Sequence, residues 1–169
     1  MSPNRTITVR AFCSRDIINS EMSKKPSLEL PNCFYRVSTK ALILNEERDK
    51  FLVCYEEAGF WELPGGGLEW GTTPQNDLAR EIKEEMNIEV AKVASRPSYF
   101  LTGRQTLNPD VHIVNVVFEC EVVDLNFTPT YECTEISFID KSFIDKMEVS
   151  DGVLKLSEVF NPENHPNKL

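Results

Sequence analysis

Three consecutive glycines, Gly65, Gly66 and Gly67, run into a helix that gathers acids on one side, and this stretch constrains the chain more than any other. Glycine permits backbone conformations closed to other residues and lets main chain approach a ligand closely. Thr73-Pro74 then supplies an N-cap and a first-turn proline, so a helix is expected to start at Pro74. At about 100° per residue, Asp77, Glu81, Glu84 and Glu85 fall within roughly a 100° arc, beside an apolar arc of Leu78, Ala79, Ile82 and Met86. The apolar arc is the buried stripe of a surface helix. The acidic arc is costlier, because Asp77/Glu81 and Glu81/Glu85 are like-charge i,i+4 pairs, each unfavourable by about 0.2–0.5 kcal/mol. Arg80 borders that face, set to pair with Glu84, while Lys83 points away.

Glutamate-rich helix faces are commonly just solvated. The glycine turn immediately upstream argues for more. Flexible backbone, a capped helix and clustered carboxylates bring phosphate-like groups and a hard divalent cation to one place.

Segment 66–88 resembles the Nudix box, whose pattern is Gly, five residues, Glu, seven residues, Arg-Glu, an aliphatic, any residue, Glu-Glu, any residue, Gly, an aliphatic. Gly66 opens it, Arg80-Glu81-Ile82-Lys83-Glu84-Glu85 fills its helical core, and Ile88 closes it. Leu63-Pro64-Gly65 and Leu68-Glu69 are also similar to the family. Thr72 stands where the first glutamate belongs, which removes a carboxylate, and Asn87 stands where the second glycine belongs. Asn87 is a mild change, since asparagine is the next best residue for a left-handed helix end.

The resemblance implies an α/β fold, a Nudix-type α/β/α sandwich with a mixed β-sheet. It implies a hydrolase that cleaves a diphosphate linkage in a nucleotide or nucleoside-diphosphate-linked substrate with Mg2+, for which Mn2+ can substitute. Glu81, Glu84 and Glu85 match the family's metal-binding acids, with Glu84 also able to take a proton from water. Arg80 matches its arginine and is expected to orient a carboxylate. A carbonyl at Gly65 or Gly66 would complete the metal shell. Glu132 is the first choice for a later catalytic and metal-binding acid, with Glu135 second. Arg36 and Arg104 are the cations expected near phosphates. Trp61, like Phe34 and Tyr35, could stack on a base or sugar, against the alternative of core packing. The competing class is a Nudix-fold binding or regulatory module without turnover, favoured by Thr72. Diphosphate isomerisation would need a catalytic cysteine that the sequence does not place.

A chain of 169 residues suits one domain over 33–169, preceded by an arm or accessory strand in 1–32, where Thr6–Phe12 alternates like a strand. The net charge of −9 argues against stable nucleic-acid binding or adhesion to an anionic membrane. It is compatible with a small diphosphate ligand, because bound cations invert the local field. A homodimer stays open. The five cysteines follow no Cys-x-x-Cys spacing and read as reduced thiols, and no apolar run is long enough to span a bilayer, so a cytoplasmic location is expected. Neither His112 on a strand nor His165 in a polar tail supports histidine chemistry.

Strands are expected at 33–44 and 50–56 as a hairpin, at 89–101, at 110–123 and at 135–139. Weaker helices are expected at 142–147 and 152–160.

Overall fold

The computed structural model describes residues 35–169. The arm expected in 1–32, with Cys13, Cys33 and Phe34, lies outside the described residues. In chain order the elements are β1 (Tyr35–Ile43), β2 (Phe51–Tyr55), β3 (Trp61–Glu62), α1 (Pro74–Met86), β4 (Val90–Val93), β5 (Tyr99–Arg104), β6 (His112–Val122), β7 (Glu135–Ile139) and α2 (Asp151–Val159). Short 3-10 turns cover Lys141–Lys146 and Pro162–Asn164.

The main sheet is built on β6. Its one edge pairs in parallel with β1, from Tyr35↔His112 to Ile43↔Cys120. Its other edge is shared end to end by β5 and β4, both antiparallel, so the sheet is mixed. A parallel pair requires a crossover, and α1 lies on the chain between β1 and β6. A second, antiparallel sheet has the order β3-β2-β7.

Side-chain alternation divides the interior into two cores. Ala41, Ile43, Leu52, Cys54, Phe118 and Cys120 pack with Leu78, Ile82 and Met86 of α1. Leu42, Phe51, Val53, Leu63 and Val117 pack with Val153 and Leu156 of α2. Strands buried on both faces between a helix on each side make an α/β/α sandwich. Helix α1 begins at Pro74, with Thr73 as the N-cap accepting from the Asn76 amide, and ends at Asn87 in left-handed conformation.

Two strand expectations change. Residues 35–55 do turn at Asn45, whose side chain receives the amides of Asp49 and Lys50. After the single bridge Leu44↔Phe51, however, β1 and β2 part into different sheets. β2 pairs instead with β3 and β7, and its two apolar faces pack into the two cores described above. The expected strand 89–101 is two strands. Ala94 donates to Glu119 O and Ser98 to Val117 O, and the intervening Ser95-Arg96-Pro97 leaves the ladder, where proline has no amide to contribute.

Candidate active site

The glycine turn is laced along the open edge of β1. Ala41 N donates to Pro64 O at 2.8 Å, Thr39 N to Gly66 O at 2.9 Å, and Leu68 N to Val37 O at 3.0 Å. Gly65 has φ +114°, and a Cβ there would lie 2.4 Å from Thr39 O. A Cβ on Gly66 would meet the Glu81 carboxyl carbon at 2.5 Å, and one on Gly67 would meet Arg36 Nη2 at 2.5 Å. The turn is therefore glycine so that a carboxylate from α1 and a guanidinium from β1 can both lie against bare backbone.

Helix α1 supplies that carboxylate and orders the others through Arg80. The guanidinium donates to Glu84 Oε2 at 2.7 Å, to Glu81 Oε1 at 2.7 Å and to Asp77 Oδ1, with Glu69 at 3.7 Å. The bond to Asp77, then that to Glu81, raise the Arg80 pKa further above its ordinary value. Asp77 is not part of a solvated arc. It is 1% exposed, and its Oδ2 accepts the Glu69 amide at 3.1 Å. Glu85 turns inward and accepts the Gly65 amide at 2.9 Å. Burial pushes its carboxyl up to about 7; Lys40 and the Gly65 amide oppose the rise, and the like charges of Glu81 and Glu56 add to it.

An acid whose charge is this poorly compensated suits a divalent cation, and the oxygen donors suit a hard one. Among the described residues, no three His, Cys, Asp or Glu side chains already surround one point. Arg80 instead holds Glu81 and Glu84, so loading a metal would require those carboxylates to swing from the guanidinium.

Two cavities meet at Glu85. The first, of about 240 Å³, lies between β1 (Arg36, Ser38, Lys40), β6 (Ile113, Asn115), Gly65–Gly67 and Gln105–Leu107, with Glu56, Phe60 and Glu62 completing it. The Lys40 side chain is buried here, donating to Leu63 O at 2.9 Å and to Gly65 O. Its pKa is raised: burial pulls it down, but Glu62 and Glu85 lead the charges that outweigh it. Asn115 is 2% exposed, and its Oδ1 has no hydrogen-bond partner. The second cavity, of about 350 Å³, is lined by Glu56, Glu57, Ala58, Glu85, Tyr131 and Glu132. Burial raises the pKa of Glu56; Lys40 opposes this, and Glu62 and Glu132 reinforce it.

Of the expected site residues, Glu81, Glu85, Gly65 and Arg36 come together at the turn, Arg80 ties Glu84 to them, and Glu132 shares the lining of the second cavity with Glu85. Glu135 instead pairs with Tyr55 in the β2–β7 ladder. Trp61 packs against Tyr55, ring centroids 5.1 Å apart, and against the α2-side core, outside the lining of either cavity. Arg104 lies in a neighbouring groove with Asp151 and Lys155. Tyr35 meets His112 edge-on. Thr72 turns its hydroxyl to the Thr73 carbonyl, not across the acids. His165 is buried, not a free tail residue, and bonds Glu119 and Tyr99.

Lys40, Glu56 and Asn115 were not anticipated. A signal for Lys40 does exist: Arg36, Ser38 and Lys40 share the β1 face that continues into buried Leu42, and polar residues in line with a core position mark the wall of a cleft. Glu56 and Asn115 carry no comparable sequence signal.

Comparison with known proteins bears on this geometry. The family model described as NUDIX domain matches residues 34–159. A nucleoside triphosphatase NudI from Enterobacter sp. (strain 638) is 24% identical over 100 residues, covering 56% of this chain and 71% of that protein. A MutT-like protein from Streptomyces ambofaciens is 33% identical over 87 residues, and the chain spans only 52% of its length, with 52% of this chain covered. The crystal structure of a MutT protein from Methanosarcina mazei Go1 superposes with a TM-score of 0.63 at 26% identity, covering 84% of this chain and 100% of that one.

Proposed function

This chain belongs to the NUDIX domain family over residues 34–159, and on that footing we propose that it hydrolyses a diphosphate linkage in a nucleotide or nucleoside-diphosphate-linked substrate, using Mg2+ with Mn2+ as a substitute. One observation carries the reading: the glycine turn and α1 are joined through their functional atoms, Glu85 to the Gly65 amide and Glu81 against Gly66. The name of one relative, a nucleoside triphosphatase, agrees with a nucleotide-type substrate.

A bound divalent ion would neutralise phosphate charge and make a coordinated water more acidic. The chain's own groups supply the rest. Glu81, Glu84 and Glu85 would hold the cation. Glu84, 55% exposed at its side chain, is the acid best placed to take the proton of an attacking water. Arg80 holds Glu81 and Glu84 and compensates their repulsion until a metal draws the carboxylates from the guanidinium. Glu132 adds an acid from the lining of the second cavity, and Arg36, at the turn, meets a substrate phosphate.

The test is a panel of nucleotides and nucleotide-sugars assayed for phosphate-bearing products with and without magnesium. Turnover abolished by chelation and restored by magnesium is expected. Turnover undiminished after exhaustive chelation overturns the mechanism, and tight binding without turnover across the panel favours a regulatory module instead.

A further inference from the structure

We propose that Lys40 is a resident cation that takes the place of the main-chain arm of the metal site, so that divalent ions are confined to the carboxylates of α1 and the cavity beyond them. The proposal rests on the metal-dependent reading above and departs from it at one atom, the Gly65 carbonyl.

That carbonyl is one of the two oxygens, Gly65 or Gly66, expected to complete the metal shell, and it accepts the Lys40 ammonium instead, while Gly66 O is taken by the Thr39 amide at 2.9 Å. Lys40 is only 8% exposed and is anchored twice, its second bond going to Leu63 O at 2.9 Å. Both acceptors lie on the same turn, so the ammonium fastens β1 to the backbone entering the glycine loop. Glu62 is held close by its own bonds to the Leu63 amide and the Ser150 hydroxyl, both at 2.8 Å. Glu85, bonded to the Gly65 amide, lines the same cavity as the Lys40 side chain. A buried charge among fixed acids and carbonyls cannot leave without stranding them. A dication on the same oxygen would sit beside the ammonium, where like-charge repulsion is poorly screened. The inner part of the site already has its positive charge, supplied by the chain.

Lys40→Met keeps length and apolar stem but removes the charge. Mn2+ is titrated into the full protein without substrate, and free aquo-Mn2+ is counted by its electron paramagnetic resonance signal. The variant is expected to gain a Mn2+ ion or to bind about tenfold more tightly than wild type, as loss of a nearby unit charge requires. In wild type, the carbon-13 resonances of the Glu81 and Glu84 carboxyls should move on addition of Mg2+ while the Gly65 carbonyl stays still, a readout that holds even if the variant does not fold. A Gly65 carbonyl that moves with the carboxyls, or a folded Lys40→Met protein with wild-type Mn2+ binding, overturns the assignment of Lys40 and leaves the metal site standing. Absence of Mn2+ binding in both proteins overturns the two readings together.

Discussion

Asp77 and Arg80 are joined one turn apart on α1, with the acid buried and the guanidinium free to fan toward Glu81 and Glu84. Because Asp77 also receives the Glu69 amide, one carboxylate fixes both the helix arginine and the backbone leaving the glycine turn. A site that lacks an acid at Thr72 thus obtains a partner for Arg80 from within the helix itself.

Asp77→Asn is therefore expected to be felt, contrary to what a solvated arc would imply. The amide nitrogen would face either Arg80 or the Glu69 amide, donor against donor, at a cost of about 1–3 kcal/mol. Urea denaturation of the two proteins measures it. A change within a few tenths of a kcal/mol would show that neither bond matters to folding.

Glu81→Gln, Glu84→Gln and Glu85→Gln preserve shape and helix propensity. Each should lower kcat by roughly 10²-fold or more while the fold persists by circular dichroism, the size expected for losing a ligand or proton acceptor. Equal activity in all three would make this face a solvated one.

The raised Glu85 carboxyl gives a pH signature. Its pKa of about 7 exceeds the ordinary 4.5, so between these values the folded protein holds a proton that the unfolded chain has released. Metal-free stability from this group is then full below about pH 4.5 and declines as pH rises toward 7. Melting curves across that interval should show the decline, and Glu85→Gln should flatten it. Magnesium should oppose it, because the cation favours the ionised carboxyl.

Thr72→Glu tests whether Asp77 has already filled the vacancy. With the Thr72 side chain turned to the Thr73 carbonyl and Arg80 saturated by acids, the magnesium concentration for half-maximal activity should change by less than about threefold, as for an exposed charge. A large fall would mean that a glutamate at this position reaches the cluster.

His165→Ala probes the far side of the fold. The imidazole bonds Glu119 at 2.6 Å and Tyr99 at 2.9 Å. Its loss leaves a buried carboxylate with Arg48 as its remaining side-chain partner among the described residues, and should cost about 1–3 kcal/mol with little change in turnover. Chemical denaturation and kinetics on one preparation separate the two effects.

Local rules carried far in this chain. Thr73-Pro74 marks the start of α1 and Asn87 its end, because capping depends on a few neighbouring residues. The apolar arc Leu78, Ile82, Met86 predicts the buried face, and the 135–139 strand lies where expected. What the sequence hid depends on pairing at a distance. Nothing local says that β2 leaves β1 for β7, whereas Pro97 is itself a local mark of the break in the expected 89–101 strand. Asp77 reads as one more surface acid until its partner Glu69 is located by the turn. Lys40 and Glu56 belong to strands or strand ends whose inward side is polar only because a cleft opens there.

The backbone bonds between the glycine turn and β1 have a consequence outside chemistry. They saturate main-chain groups along a sheet border that would otherwise attract a strand from a second molecule. A loop substitution that peels the turn away should therefore uncover a sticky ribbon as well as damage the cleft, and such variants should aggregate during expression before any assay can register lost activity.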